Sequence, residues 1–88
     1  MLLSIVVPTY NVEKFIGNCL ESLLEQDIPK KRYEILVIND GSTDDSGKIA
    51  GTFADYHTNI RLINQENKGL SGARNTGISH CLLYTSDA

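Results

Sequence analysis

The sequence predicts an α/β domain with a parallel sheet, arranged as one half of a doubly wound fold. Three observations lead there. Ile35-Leu36-Val37-Ile38 is an unbroken apolar run, as a strand buried on both faces requires. Turn chemistry follows at once in Asn39-Asp40-Gly41-Ser42, where Gly41 is free to take φ > 0. Strand-like and helix-like stretches alternate as β-α-β-α-β-α, the pattern of parallel strands joined by crossover helices. Right-handed crossovers stepping one way give the strand order 3-2-1 and put the first two helices on the same face. The other face, and the free edge of strand one, are left wanting partners.

The first strand is expected over residues 2–7, with Ser4 its only polar residue. Pro8 lacks an N–H and belongs where pairing stops. Thr9-Tyr10-Asn11 reads as an exposed turn, with Asn11 capping the next helix. Val12, Phe15, Ile16, Cys19, Leu20, Leu23 and Leu24 recur at i, i+3, i+4 spacing. They predict a helix of about four turns with one apolar face, and Glu13 falls in its first turn. Ile28, before Pro29, is pushed away from helix and ends the segment.

The second strand is expected over residues 33–38. Asp40 then sits at the carboxyl end of a buried strand, where open α/β sheets place ligands. Ser42 and Thr43 are good N-caps and Asp44 and Asp45 suit the positive end of a helix, so the second helix is expected over about residues 44–56. Ile49, Ala50, Phe53 and Ala54 form its inner face, and Gly47 and Gly51 weaken it. Residues 60–63 read as a short third strand and residues 64–70 as a polar loop. Ser71 can cap a third helix that carries Arg74 and ends near Ser79.

At 88 residues the chain is at most one small domain. A net charge of −3 without a basic cluster excludes nucleic acid as the main partner. The apolar runs are far too short to span a membrane. The opening residues lack the basic start and cleavage site of a signal peptide and read as a strand instead. Cys19 and Cys81 share no metal-type spacing and define no disulfide framework, so free thiols and a cytoplasmic setting are expected. His57 and His80 are isolated in the sequence and receive no role.

Ser4-Ile5-Val6-Val7-Pro8-Thr9-Tyr10-Asn11 resembles the opening of the family 2 glycosyltransferases, which have the GT-A fold. Asn39-Asp40-Gly41-Ser42-Thr43-Asp44 resembles their second signature, with Asn39 where an acid usually stands. Asn67-Lys68-Gly69-Leu70-Ser71-Gly72-Ala73-Arg74-Asn75-Thr76-Gly77 resembles their third. The motifs stand in the family's order and cover residues 3 to about 79. The resemblance implies that residues 1–80 are the Rossmann-like βαβαβα, nucleotide-sugar-binding half of a GT-A domain, truncated before the fourth strand. It implies transfer, with inversion, of a sugar from a nucleotide-diphosphate donor, a UDP-sugar above all, to a glycan, lipid or polyol acceptor. Membrane association of a full-length enzyme, peripheral at the inner face, is compatible with it.

The same resemblance gives roles to residues. Asp40, acceptor-only when ionised, would take the imide N–H of uracil; its alternative is to fix the turn. Tyr10 would lie on the base as an aromatic platform, or else cover the sheet end, with Pro8 and Thr9 shaping the same wall. Glu13 would reach the ribose or the pocket rim, or else only favour the helix dipole. Arg74 would meet the diphosphate, or else make a surface ion pair. Gly69-x-x-Gly72 is no dinucleotide or P-loop fingerprint, and no Gly-x-Gly-x-x-Gly follows either early strand. A non-catalytic nucleotide-binding module and an inactive fragment are the alternatives to the enzyme. Mg²⁺ or Mn²⁺ is expected in the full-length enzyme, held by an Asp-x-Asp-type motif after a fourth strand. Asp87 stands alone and is not assigned that role. Residues 81–88 depart from the family pattern and read as an atypical tail, not native to it.

Overall fold

The computed structural model describes residues 3–25, 27–69 and 71–73. Strand β1 (Leu3–Thr9) leads to helix α1 (Glu13–Leu24), a 3₁₀ turn (Lys30–Arg32), β2 (Tyr33–Asp40), α2 (Ser46–Tyr56) and β3 (Ile60–Gln65). The strands form one parallel sheet with β2 in the middle, the order the sequence predicts. The fold is α/β and Rossmann-like.

The side chains of β2 alternate between two cores. Ile35 and Val37 pack with Ile16 and Leu20 of α1, Ala50 of α2, and Ile60. Both helices therefore cover one face, as right-handed crossovers require. Leu36 and Ile38 pack on the other face with Val6, Ile63 and Ala73. Each fully buried Leu or Ile here contributes about 1.5–3 kcal/mol of transfer free energy. That is why β2, buried along nearly its whole length, anchors the rest.

All three strands run further toward their carboxyl ends than the apolar runs suggest. β1 continues through Pro8, which is in register with Ile38, so pairing does not stop at the proline. β1 is an edge of the described sheet, where proline is tolerated. Asn39 and Asp40 remain in β2 because Asn64 and Gln65 pair beside them on β3.

Helix α1 is 12 residues long, shorter than the periodicity suggests. Its buried face centres on Ile16 and Leu20. Phe15, 69% exposed, and the free thiol of Cys19 lie on an uncovered flank, against expectation. Periodicity defines a stripe, but the width covered depends on what packs against it. Helix α2 begins at Ser46, later than expected, because residues 42–44 are engaged elsewhere. Residues 71–73 are helical; the rest of the expected third helix, Arg74 and the 81–88 tail lie outside the described residues.

At the amino edge, the buried Glu34 carboxylate is paired on both sides. Ser4 Oγ donates to Glu34 Oε1 at 2.6 Å, and Arg61 Nη1 lies 3.7 Å from Oε2.

Candidate functional site

Strand alternation sends Asn39 and Asp40 to opposite faces of the sheet. Asn39 faces the helices. Its Nδ2 donates to Asn64 Oδ1 at 2.9 Å, and a Cβ at Gly47 would overlap that same nitrogen. Asn39, in the place of the usual first acid, is thus a packed residue at the start of α2.

Asp40 faces the other way and is only 4% exposed. Its Oδ1 accepts Gln65 Nε2 at 2.9 Å and the Lys68 N–H at 2.8 Å. It fixes not its own turn but the loop after β3. The Gln65 amide, and then the Lys68 N–H, hold the Asp40 carboxyl below the usual carboxylate range. The Gly69 N–H and the Lys68 charge act the same way, while partial burial opposes them. Asp40 is therefore ionised at neutral pH and can only accept hydrogen bonds. Gly41 lets the loop come this close: its φ is +73°, and a Cβ there would stand 2.8 Å from the Asn67 nitrogen.

A cleft of about 340 Å³ opens at these strand tips. Pro8, Thr9, Tyr10 and Asp40, all candidates from the sequence, line it together. Thr9 is buried, with its hydroxyl donating to the Val7 carbonyl, whereas Tyr10 is 50% exposed and offers a ring face. Glu13 is exposed in the first turn of α1 and does not line the cleft. Arg74 lies outside the described residues. Sequence reasoning missed Val12, Asn67 and Ala73 as lining; Gly69, which it read as able to admit a donor closely, also lines the cleft. Gly69 adopts a φ of +76°, which glycine takes freely. A larger hollow, about 440 Å³, lies at the amino edge around Lys31, Tyr33 and Arg61. The carboxyl-edge cleft is the better candidate, because ligands of open α/β sheets bind outside the carboxyl ends of strands.

The turn after β1 is tied to the turn after β2. Asn11 N–H donates to Ser42 Oγ (3.1 Å), Val12 N–H to Ser46 Oγ (2.8 Å) and Glu13 N–H to Asp44 Oδ2 (3.1 Å). These bonds cap α1 from another segment. Asn11 is not the cap: its φ is +51°, and its Oδ1 accepts the Thr43 N–H at 2.8 Å. Nor do Ser42 and Thr43 cap α2. Asp44 serves both helices, since its other oxygen accepts the Ser46 N–H at 2.9 Å. The Ser46 hydroxyl is the main cause holding the Asp44 carboxyl below its usual range, with the Ser46 and Glu13 N–H groups assisting against partial burial. The latch fixes the backbone on which Tyr10 stands.

Among the described residues no group of three or more His, Cys, Asp or Glu side chains could hold a metal ion. No helix among them is long and apolar enough to cross a membrane.

The sequence matches the family described as Glycosyl transferase family 2 over residues 4–82. It is 53% identical over 77 residues to the uncharacterized glycosyltransferase EpsJ of Bacillus subtilis (strain 168), covering 88% of this chain and 22% of that protein. S. aureus TarS 1-349 in complex with UDP-GlcNAc superposes with a TM-score of 0.84 at 33% identity, over 97% of this chain and 26% of that one. The mannosyltransferase PcManGT of Pyrobaculum calidifontis, in complex with GDP-Man and Mn²⁺, gives 0.83 at 30% identity, over 90% and 24%. The chain spans roughly a quarter of the length of these relatives.

Proposed function

The chain belongs to glycosyl transferase family 2, and from that premise we propose that its cleft receives the nucleoside end of a UDP-sugar, whose sugar the whole enzyme transfers with inversion to a glycan, lipid or polyol acceptor. One observation carries the reading: an ionised, nearly buried Asp40 and a half-exposed Tyr10 line the same cleft. An acceptor-only carboxylate suits the imide N–H of uracil, and an aromatic face suits the ring. Pro8 and Thr9 line the same cleft. TarS with UDP-GlcNAc supports the choice of a uridine donor.

Arg74, from the third motif, is proposed to meet the diphosphate, for which a guanidinium is well shaped. Glu13 acts through the start of α1. A divalent ion, Mg²⁺ or Mn²⁺, would offset charge on the departing diphosphate; its ligands are sought outside the described residues. Residues 1–88 by themselves are proposed to bind nucleoside weakly and to transfer no sugar, and the setting is proposed to be cytoplasmic.

Calorimetric titration with UDP tests the cleft. Asp40→Ala should weaken binding by roughly tenfold or more, the cost of an unpaired imide N–H in a desolvated site. Unchanged affinity would defeat the reading. Incubating the 88-residue chain with UDP-sugars, Mn²⁺ and a panel of acceptors tests the second claim, and product above an Asp40→Ala control would refute it.

A further inference from the structure

We infer that Gln65 is a positioning residue for base selection: with the Lys68 amide it fills one oxygen of Asp40, leaving a single acceptor oxygen that admits the lone imide N–H of uracil and disfavours guanine. The inference rests on the proposed nucleoside site and adds a reason for its choice of base.

Gln65 and Asp40 are the last residues of β3 and β2 and stand side by side in register. Gln65 Nε2 and the Lys68 nitrogen lie 2.9 Å and 2.8 Å from the same atom, Asp40 Oδ1. A carboxylate oxygen offers about two lone-pair sites, so Oδ1 is saturated. The neighbouring Gly69 N–H also acts on the Asp40 carboxylate, but its hydrogen bond within 3.5 Å goes to Asn67 Oδ1, at 3.1 Å. Neither the Gln65 nor the Lys68 bond falls on Oδ2.

The two bases differ in what they ask of a carboxylate. Guanine presents adjacent N1–H and N2–H donors that need both oxygens. Uracil presents N3–H between two carbonyls, and one oxygen satisfies it. With Asp40 only 4% exposed, water cannot easily serve the second guanine donor. A donor desolvated without a partner is the costly case. Tyr10 and Pro8 accept either base, so discrimination falls to Asp40 and to what already occupies it.

The test is calorimetric titration of the protein with UDP and GDP, with thermal melting to confirm that each variant is folded. Wild type should prefer UDP by roughly tenfold or more. Gln65→Met removes the donor at similar length and reopens Oδ1, so the UDP-to-GDP ratio should fall about fivefold or more. Gln65→Glu sets two carboxyls against each other. UDP binding should then become pH-dependent, tightening toward about pH 5 as a shared proton restores the donor. A purely structural role for Gln65 would move neither readout. If Asp40→Asn loses UDP while both Gln65 variants keep the wild-type ratio and a flat pH profile, the inference is overturned and the proposed function stands. If Asp40→Asn leaves UDP affinity unchanged, both fall.

Discussion

Two loops leave the carboxyl edge of the sheet, and they are held in opposite ways. The 41–45 loop and the first residue of α2 are tied to the start of α1 by the side chains of Ser42, Asp44 and the fully buried Ser46. The exposed 66–68 loop is held through its backbone, by one oxygen of Asp40. Both loops depend on an aspartate with a depressed pKa, four positions apart. Asp44 divides its oxygens between the N-termini of two helices; Asp40 receives two bonds on one oxygen and borders the cleft. A depressed carboxyl is therefore no marker of a ligand site by itself. What separates the two is where the second oxygen goes.

Gly41→Val should do most damage, because Gly41 lies in the first loop and packs against Asn67 of the second. A β-branched residue at φ +73° is strained, and its Cβ meets the Asn67 nitrogen. A loss of about 2 kcal/mol or more is expected. Thermal melting should show Tm lower by on the order of 10 °C. An unchanged Tm would mean that the two loops do not meet at this glycine.

Ser46→Ala leaves the Val12 N–H without its acceptor, at about 1–3 kcal/mol. Chemical denaturation should show that loss, and a change under about 0.5 kcal/mol would show that water replaces the hydroxyl.

The aspartates sharpen the contrast directly. Asp44→Ala should lower Tm while the folded protein keeps UDP affinity within about threefold; Asp40→Ala should weaken UDP roughly tenfold with the smaller change in Tm. Equal losses on both readouts would erase the distinction. In acid the two act alike. Each carboxyl binds its proton more weakly when folded, so its contribution is complete above the ordinary value of about 4 and lost as pH falls through the lower folded value. Stability should therefore fall below about pH 4, less steeply in Asp44→Asn; identical slopes would show that other groups govern the acid limb. The smallest effect belongs to Phe15→Ser, on the uncovered flank of α1, with a change within about 0.5 kcal/mol.

Local signals explain which parts were legible in the sequence. The Ile35–Ile38 run and Gly41 sufficed for β2 and its turn, because burial on both faces and a positive φ leave marks in neighbouring residues. The order of strands followed from taking both crossovers to step one way, and handedness then put both helices on one face. Pro8, Thr9, Tyr10 and Asp40 come together at one cleft because strand tips gather residues from successive motifs. The capping of α1 was not legible. Its acceptors stand more than 30 positions away, and no spacing rule reaches that far. Asn11 looked like a cap for the same reason that Thr43 did: each has the right chemistry, and both use it on each other. Asn67 entered the cleft only because Gly41 lets its loop lie close.

The latch also bears on the order in which the chain organises itself. Helix α1 has no side-chain cap of its own, so early in folding its first amides have only water to bond. Their acceptors arrive once β1 and β2 have paired and the following turn has closed, a contact across more than 30 residues. The start of α1 should therefore mature after the sheet centre, with its final turn free to form earlier. Amide hydrogen exchange would register this, since protection at Asn11, Val12 and Glu13 should appear and disappear together with that of Thr43 and Ser46. Those protons report on the docking of two distant segments, not on the local propensity of a helix.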